Sequence, residues 1–165
     1  MTPIATMRSD PVAGFRPNHR PPRPRLVRTN QTTEVEVGEK LTRLCADLAD
    51  KFGRADTIAV TCAAARDWLP RTTATQLNLI AAALLAEAFS AFAGKRSGRI
   101  GVLYDAGERT LRLTVEHSRS KPRAAGCPGV SDSSLTRTLV AGLGGRIEHA
   151  VVIGGTRTVV SAPRF

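Results

Sequence analysis

Residues 78–100 read NLIAAALLAEAFSAFAGKRSGRI. With Leu77 just ahead, apolar side chains recur at Leu77, Ile80, Leu84, Ala88 and Ala91, and Leu85, Phe89 and Phe92 widen the stripe. That spacing predicts a long helix with one side against a core. A single carboxylate, Glu87, stands at the margin of the stripe. Beyond the helix the pattern changes to period two, so the chain passes from a helix into a strand.

Upstream, Pro70 breaks the chain, and Thr72 or Thr73 is the expected cap of this helix, which runs to about Phe92. Before it, TIAVTC (57–62) predicts a short strand. Val37, Leu41, Leu44, Cys45 and Leu48 predict an earlier helix that begins at Glu36 and ends at Phe52-Gly53. Downstream, GRIGVLY and TLRLTVEH alternate around DAGE, a hairpin with Gly107 in its turn. The segment from Ser118 to Val130 contains Pro122 and Pro128 and predicts a loop. Asp132 or Ser133 caps a further helix, SLTRTLVAGL, which stops at Gly144-Gly145. RIEHAVVI and TRTVVSAP around Gly154-Gly155 close the chain with a hairpin. The expected fold is α+β, a two-layer α/β sandwich whose mixed, mostly antiparallel sheet carries helices on one face.

Composition bounds the function. The 165 residues are 42% hydrophobic and carry a net charge of +10, which suits one globular domain with a nucleic-acid or acidic-protein partner. Residues 1–35 hold Arg8, Arg16, Arg20, Arg23, Arg25 and Arg28 among six prolines, and such a segment is expected to be a disordered basic tail. Residues 36–165 are the expected domain. Nucleic acid is a possible partner through the tail, although aromatics at 4% supply no stacking platform. Cys45, Cys62 and Cys127 are odd in number and widely spaced, which argues against a disulfide framework or a C-x-x-C site. No apolar run reaches the ~18 residues of a membrane span, and a cytoplasmic location is expected. No G-K-[ST] follows GLGG or GGTRT, and no G-x-S-x-G or H-E-x-x-H occurs, so P-loop and common hydrolase chemistry lack their residues. His117 and His149 lie at strand ends without metal-ligand partners in sequence. Lys95, Arg96 and Arg99 complement the dipole at a helix end.

The runs LNLIAAALLAEAFSAFAGKRSGRI, LRLTVEHSRSKP, SSLTRTLVAGLGGRIEH and GGTRTVVSAP, together with the earlier LTRLCADLADKFG, resemble the Bergerat-fold, HATPase-like ATP-binding domain of HWE and second-class sensor histidine kinases. The likeness extends from Val37 to Phe165. The chain is also similar to the C-terminal domain of bacterial histidine phosphotransferases. In the kinases an Asn on the long helix holds Mg²⁺ and a Glu four residues before it assists phosphoryl transfer; the resemblance places these roles at Glu87 and Ala83. The family's Lys and His further along fall at Ser90 and Ala91. Its adenine-reading Asp falls at Glu116, the glycines that follow at Ser118 and Ser120, and the second glycine pair at Val130 and Asp132, with Gly129 nearby. Gly155-Thr156 match unchanged.

Altered nucleotide motifs imply a non-catalytic regulatory protein of bacterial two-component signalling. Such a protein acts by contact with a response regulator or histidine kinase, with no catalytic residue, metal or cofactor. The alternative is a divergent but working histidine kinase or anti-sigma-type serine kinase using ATP and Mg²⁺, with Glu87 and Glu116 replacing Asn and Asp. His19, the one His followed by Arg in the tail, cannot sit on an acceptor helix beside Pro21, Pro22 and Pro24.

Overall fold

A computed structural model describes residues 33–52, 57–92, 97–118 and 134–164. The expected tail therefore lies almost wholly outside the described residues, as do Ser120, Gly129, Asp132 and the Asp132/Ser133 cap. The described chain runs β1 (Glu34–Glu36), α1 (Val37–Lys51), β2 (Ile58–Ala64), β3 (Trp68–Pro70), α2 (Arg71–Ser90), β4 (Gly98–Ala106), β5 (Thr110–Ser118), α3 (Ser134–Gly142), β6 (Arg146–Val152) and β7 (Gly155–Pro163).

Five strands form one sheet in the order β2-β4-β5-β7-β6. β2 is parallel to β4, because α2 lies between them in the chain and carries it back across the sheet. Every other neighbour in the sheet is antiparallel. The alternating runs decide which side chains are buried. Ile100, Val102, Tyr104, Leu111, Leu113, Val115, Val160 and Ala162 face the helical layer, whereas Arg99, Leu103, Asp105, Arg112 and Arg157 stand on the outer face. The helices cover one face only, which is the two-layer α+β sandwich expected from the sequence.

The core is built on α2. Leu77, Ile80, Leu84, Leu85, Phe89 and Phe92 are all at most 5% exposed, and burying each contributes roughly 1.5–3 kcal/mol before ordering costs. Ala74, Ala81 and Ala88 allow close approach and favour the helix. α1 packs a narrower stripe of Val37, Leu41 and Cys45, one turn apart. Phe52, just past its end, stacks on Phe89 of α2 with ring centroids 4.7 Å apart.

The start of α1 agrees with expectation and that of α2 does not. α1 is capped by Glu36, whose carboxylate accepts from the amides of Gly38 at 3.0 Å and Glu39 at 2.6 Å. α2 begins at Arg71, so Thr72 and Thr73 lie within its first turn and do not cap it. Pro70 occupies the cap position, and the Arg71 amide donates instead to the carbonyl of Thr33. That bond extends a feature the periodicity did not reveal, a two-stranded antiparallel ribbon of β1 and β3. β1 starts at Glu34, two residues ahead of Glu36.

The hairpin turns follow their glycines. Gly107 donates to the Thr110 carbonyl at 2.9 Å between β4 and β5. Gly144 after α3 and Gly154 between β6 and β7 have φ of 63° and 79°, where a side chain would be strained.

Candidate functional site

Ala83 and Glu87 lie four residues apart on α2, hence on one side of the helix, and both are half-buried. Glu87 precedes the last turn, where its carbonyl accepts from Ser90 Oγ at 2.7 Å and from the Ala91 amide at 3.0 Å. Phe92 then anchors the helix end to the sheet. Its ring meets His117 of β5 edge-on, with centroids 5.9 Å apart and planes at 76°. It also covers Gly98 so closely that a Cβ there would overlap it.

At the same end of the sheet β5 finishes and β7 begins, with His117 opposite Thr156 and Ser118 opposite Gly155. A Cβ on Gly155 would collide with the His117 carbonyl, so glycine is what permits this pairing. The Ser118 hydroxyl accepts from the Arg99 amide at 2.9 Å, extending the β4–β5 contact. The structure thus gathers Ser118, Gly155 and Thr156 at one strand end and keeps Ala83 and Glu87 together on α2.

Glu116 is placed differently. It pairs with Gly101 and Arg157 across the sheet and forms an ion pair with Arg157 on the outer face. The residue that β5 turns toward α2 is the next one, His117. An open groove of about 730 Å³ lies beside Glu116, lined by Ala59, Thr61, Arg99, Ser118 and Gly155 among others. Its strand residues Ala59, Thr61 and Arg99 belong to the outer face. Among the described residues, no group of three His, Cys, Asp or Glu side chains is arranged to hold a metal. His149 Nδ1 lies 2.9 Å from Thr158 Oγ1, a structural contact between β6 and β7. Lys95 and Arg96 lie outside the described residues, and Arg99 is on β4 rather than at a helix end.

Two clusters went unseen in the sequence. Asp67 is 3% exposed; its carboxylate accepts from Tyr104 Oη at 2.6 Å and from Arg164 Nη2 at 2.5 Å. Burial, reinforced by Asp67, pushes the Tyr104 hydroxyl well above its ordinary pKa. The second cluster joins α1 to β2, where Cys45 on the buried stripe of α1 and Cys62, whose sulfur lies 3.9 Å from Thr42 Oγ1 one turn earlier, share the helix–strand interface. Their separation in sequence had hidden this, because spacing along a chain does not measure distance between packed elements.

No protein-family model and no curated protein matches the sequence. Solved structures do. The histidine kinase domain of the Erythrobacter litoralis EL346 blue-light activated histidine kinase matches with a TM-score of 0.69 and 26% identity, over 78% of this chain and 65% of that one. A second structure of that kinase gives 0.67 and 27%, over 78% of this chain and 45% of the other. The histidine kinase ThkA, solved in complex with the response regulator protein TrrA, shares the fold with a TM-score of 0.64 at 14% identity, over 81% of this chain and 42% of that one. The chain therefore carries a histidine-kinase ATPase-like domain. It spans about two thirds of the first of these structures and under half of the other two. Among the described residues no helix is long and apolar enough to cross a membrane.

Proposed function

We propose that this domain is a degenerate member of the histidine-kinase ATPase class that binds no ATP, transfers no phosphate, and acts in two-component signalling in the bacterial cytoplasm by protein contact. The observation that carries this reading is the donor set on α2. One turn before Glu87 the helix presents Ala83, a methyl group, where the resemblance requires a carboxylate for phosphoryl transfer. Glu87 alone would add negative charge beside a triphosphate rather than the neutral oxygen that an Asn supplies with the metal. The placement of Glu116 supports the same reading, since an acid on the outer face cannot meet a base held between the sheet and α2.

The proposed partner is a response regulator or a histidine kinase. Support comes from the fold shared with ThkA, which is solved with a response regulator. Calorimetric titration of the full chain with ATP and Mg²⁺ is the direct test, and no binding heat is expected. A Mg²⁺-dependent dissociation constant in the micromolar range would overturn the reading and establish a divergent nucleotide-binding domain.

A further inference from the structure

We propose that Cys45 and Cys62 form a peroxide-oxidisable dithiol, in which Cys62 is oxidised first and Cys45 closes a disulfide that fastens α1 to the edge strand β2. The geometry comes from two independent elements. Cys45 is on the buried stripe of α1 and is 4% exposed. Cys62 is half-buried on β2, the edge strand of the sheet among the described residues. One turn of α1 before Cys45, the Thr42 hydroxyl lies 3.9 Å from Cys62 Sγ, so this part of α1 sits directly over Cys62. Both thiols are free.

The surroundings give the two sulfurs different chemistry. The hydrogen bond from Cys45 pulls the Cys62 pKa down to about 6, against the cost of burial and with help from Thr42. The same bond, with burial, pushes Cys45 up. Cys62, the less enclosed of the two, is the nucleophile that meets peroxide, and Cys45, held inside the core, is its resolving partner.

The chemistry is that of a hydroperoxide substrate. The Cys62 thiolate attacks one peroxide oxygen and the O–O bond breaks; the departing hydroxide takes a proton and leaves as water, and Cys62 becomes a sulfenic acid. The Cys45 sulfur then attacks the Cys62 sulfur. The S–O bond breaks, the hydroxide leaves with the Cys45 proton as a second water, and the S–S bond forms. Two thiols lose two electrons and one hydrogen peroxide becomes two waters. None of these steps uses nucleotide, so the inference stands apart from the reading of the ATP-type site.

The test uses the full reduced chain, exposed to hydrogen peroxide and quenched with maleimide, followed by tryptic mapping under non-reducing conditions. The three cysteines fall in separate peptides, 44–51, 55–66 and 124–137. The expected product links 44–51 to 55–66 with a loss of about 2 Da, the two hydrogens. It forms equally in the Cys127→Ser variant. In Cys45→Ser, dimedone should trap Cys62 as the sulfenic acid. Maleimide on both cysteines after a dose that oxidises free cysteine would overturn the proposal, as would Cys62 advancing to sulfinic acid unbridged, a bridge to Cys127, or a bridge between two chains. The parent and Cys127→Ser maps decide the matter even if Cys45→Ser fails to fold.

Discussion

Replacing Asp67 by Ala should destabilise the domain by about 3 kcal/mol, with most of the loss inside the protein rather than at its surface. The carboxylate holds two charge-assisted hydrogen bonds, and each such bond contributes roughly 1.5–3 kcal/mol. The bond to Tyr104 counts in full, because Tyr104 is 1% exposed and its hydroxyl is left buried without Asp67. The bond to Arg164 counts for less: that side chain is 35% exposed, and water can screen and solvate the guanidinium once it is released. Removing the carboxylate also returns its own burial cost, which keeps the net from reaching the sum of both bonds.

In urea unfolding followed by circular dichroism, the midpoint should fall with the slope unchanged. For a domain of roughly 130 residues the melting temperature should drop by about 10 °C. Asp67→Asn, which can still accept from Tyr104, should lose about half as much. A loss below about 0.5 kcal/mol for Asp67→Ala would refute the reasoning, since it would place the variant among ordinary surface substitutions. So would strict additivity with Arg164→Ala, because residues in one network couple by about 0.5–3 kcal/mol.

Above pH 10 the domain should lose stability steeply. The native state keeps the Tyr104 proton after the unfolded chain has released it, so the native state binds more protons and stability falls as pH rises; Tyr104→Phe should remove that component of the alkaline limb in pH-dependent melts. Gly155→Ala should cost about 1–3 kcal/mol by forcing β7 away from the His117 carbonyl, read as a lower urea midpoint and as faster amide exchange where β5 meets β7.

The parts of this fold that were legible are those whose signal is local. α2 declares itself through twenty residues of Ala- and Leu-rich periodicity, and β4 and β5 through strict alternation on either side of a short turn. The ribbon of β1 and β3 has three residues on each side, too few to show a period, and its pairing joins positions more than thirty residues apart. Asp67 likewise finds Tyr104 and Arg164 at separations of 37 and 97 residues. Nothing within its own neighbourhood distinguishes it from a solvated loop acid. The cap of α1 was missed for a different reason: Glu is not among the usual cap residues, and Glu36 succeeds because Gly38 leaves room beside the Ala65 carbonyl, where any Cβ would be crowded.

The orientation of one candidate residue was legible in its strand. In LRLTVEH the buried apolar positions are Leu111, Leu113 and Val115, and continuing that count reaches His117 rather than Glu116. A strand turns alternate side chains to opposite faces, so a likeness of residue type at Glu116 does not set the face it occupies. Glu116 therefore meets Arg157 in solvent, while β5 offers α2 an imidazole seated against Phe92. A carboxylate placed at Ala83 would stand on α2 while the Glu116 carboxylate stays on the outer face of β5 with Arg157, so the two acids would not meet across one gap.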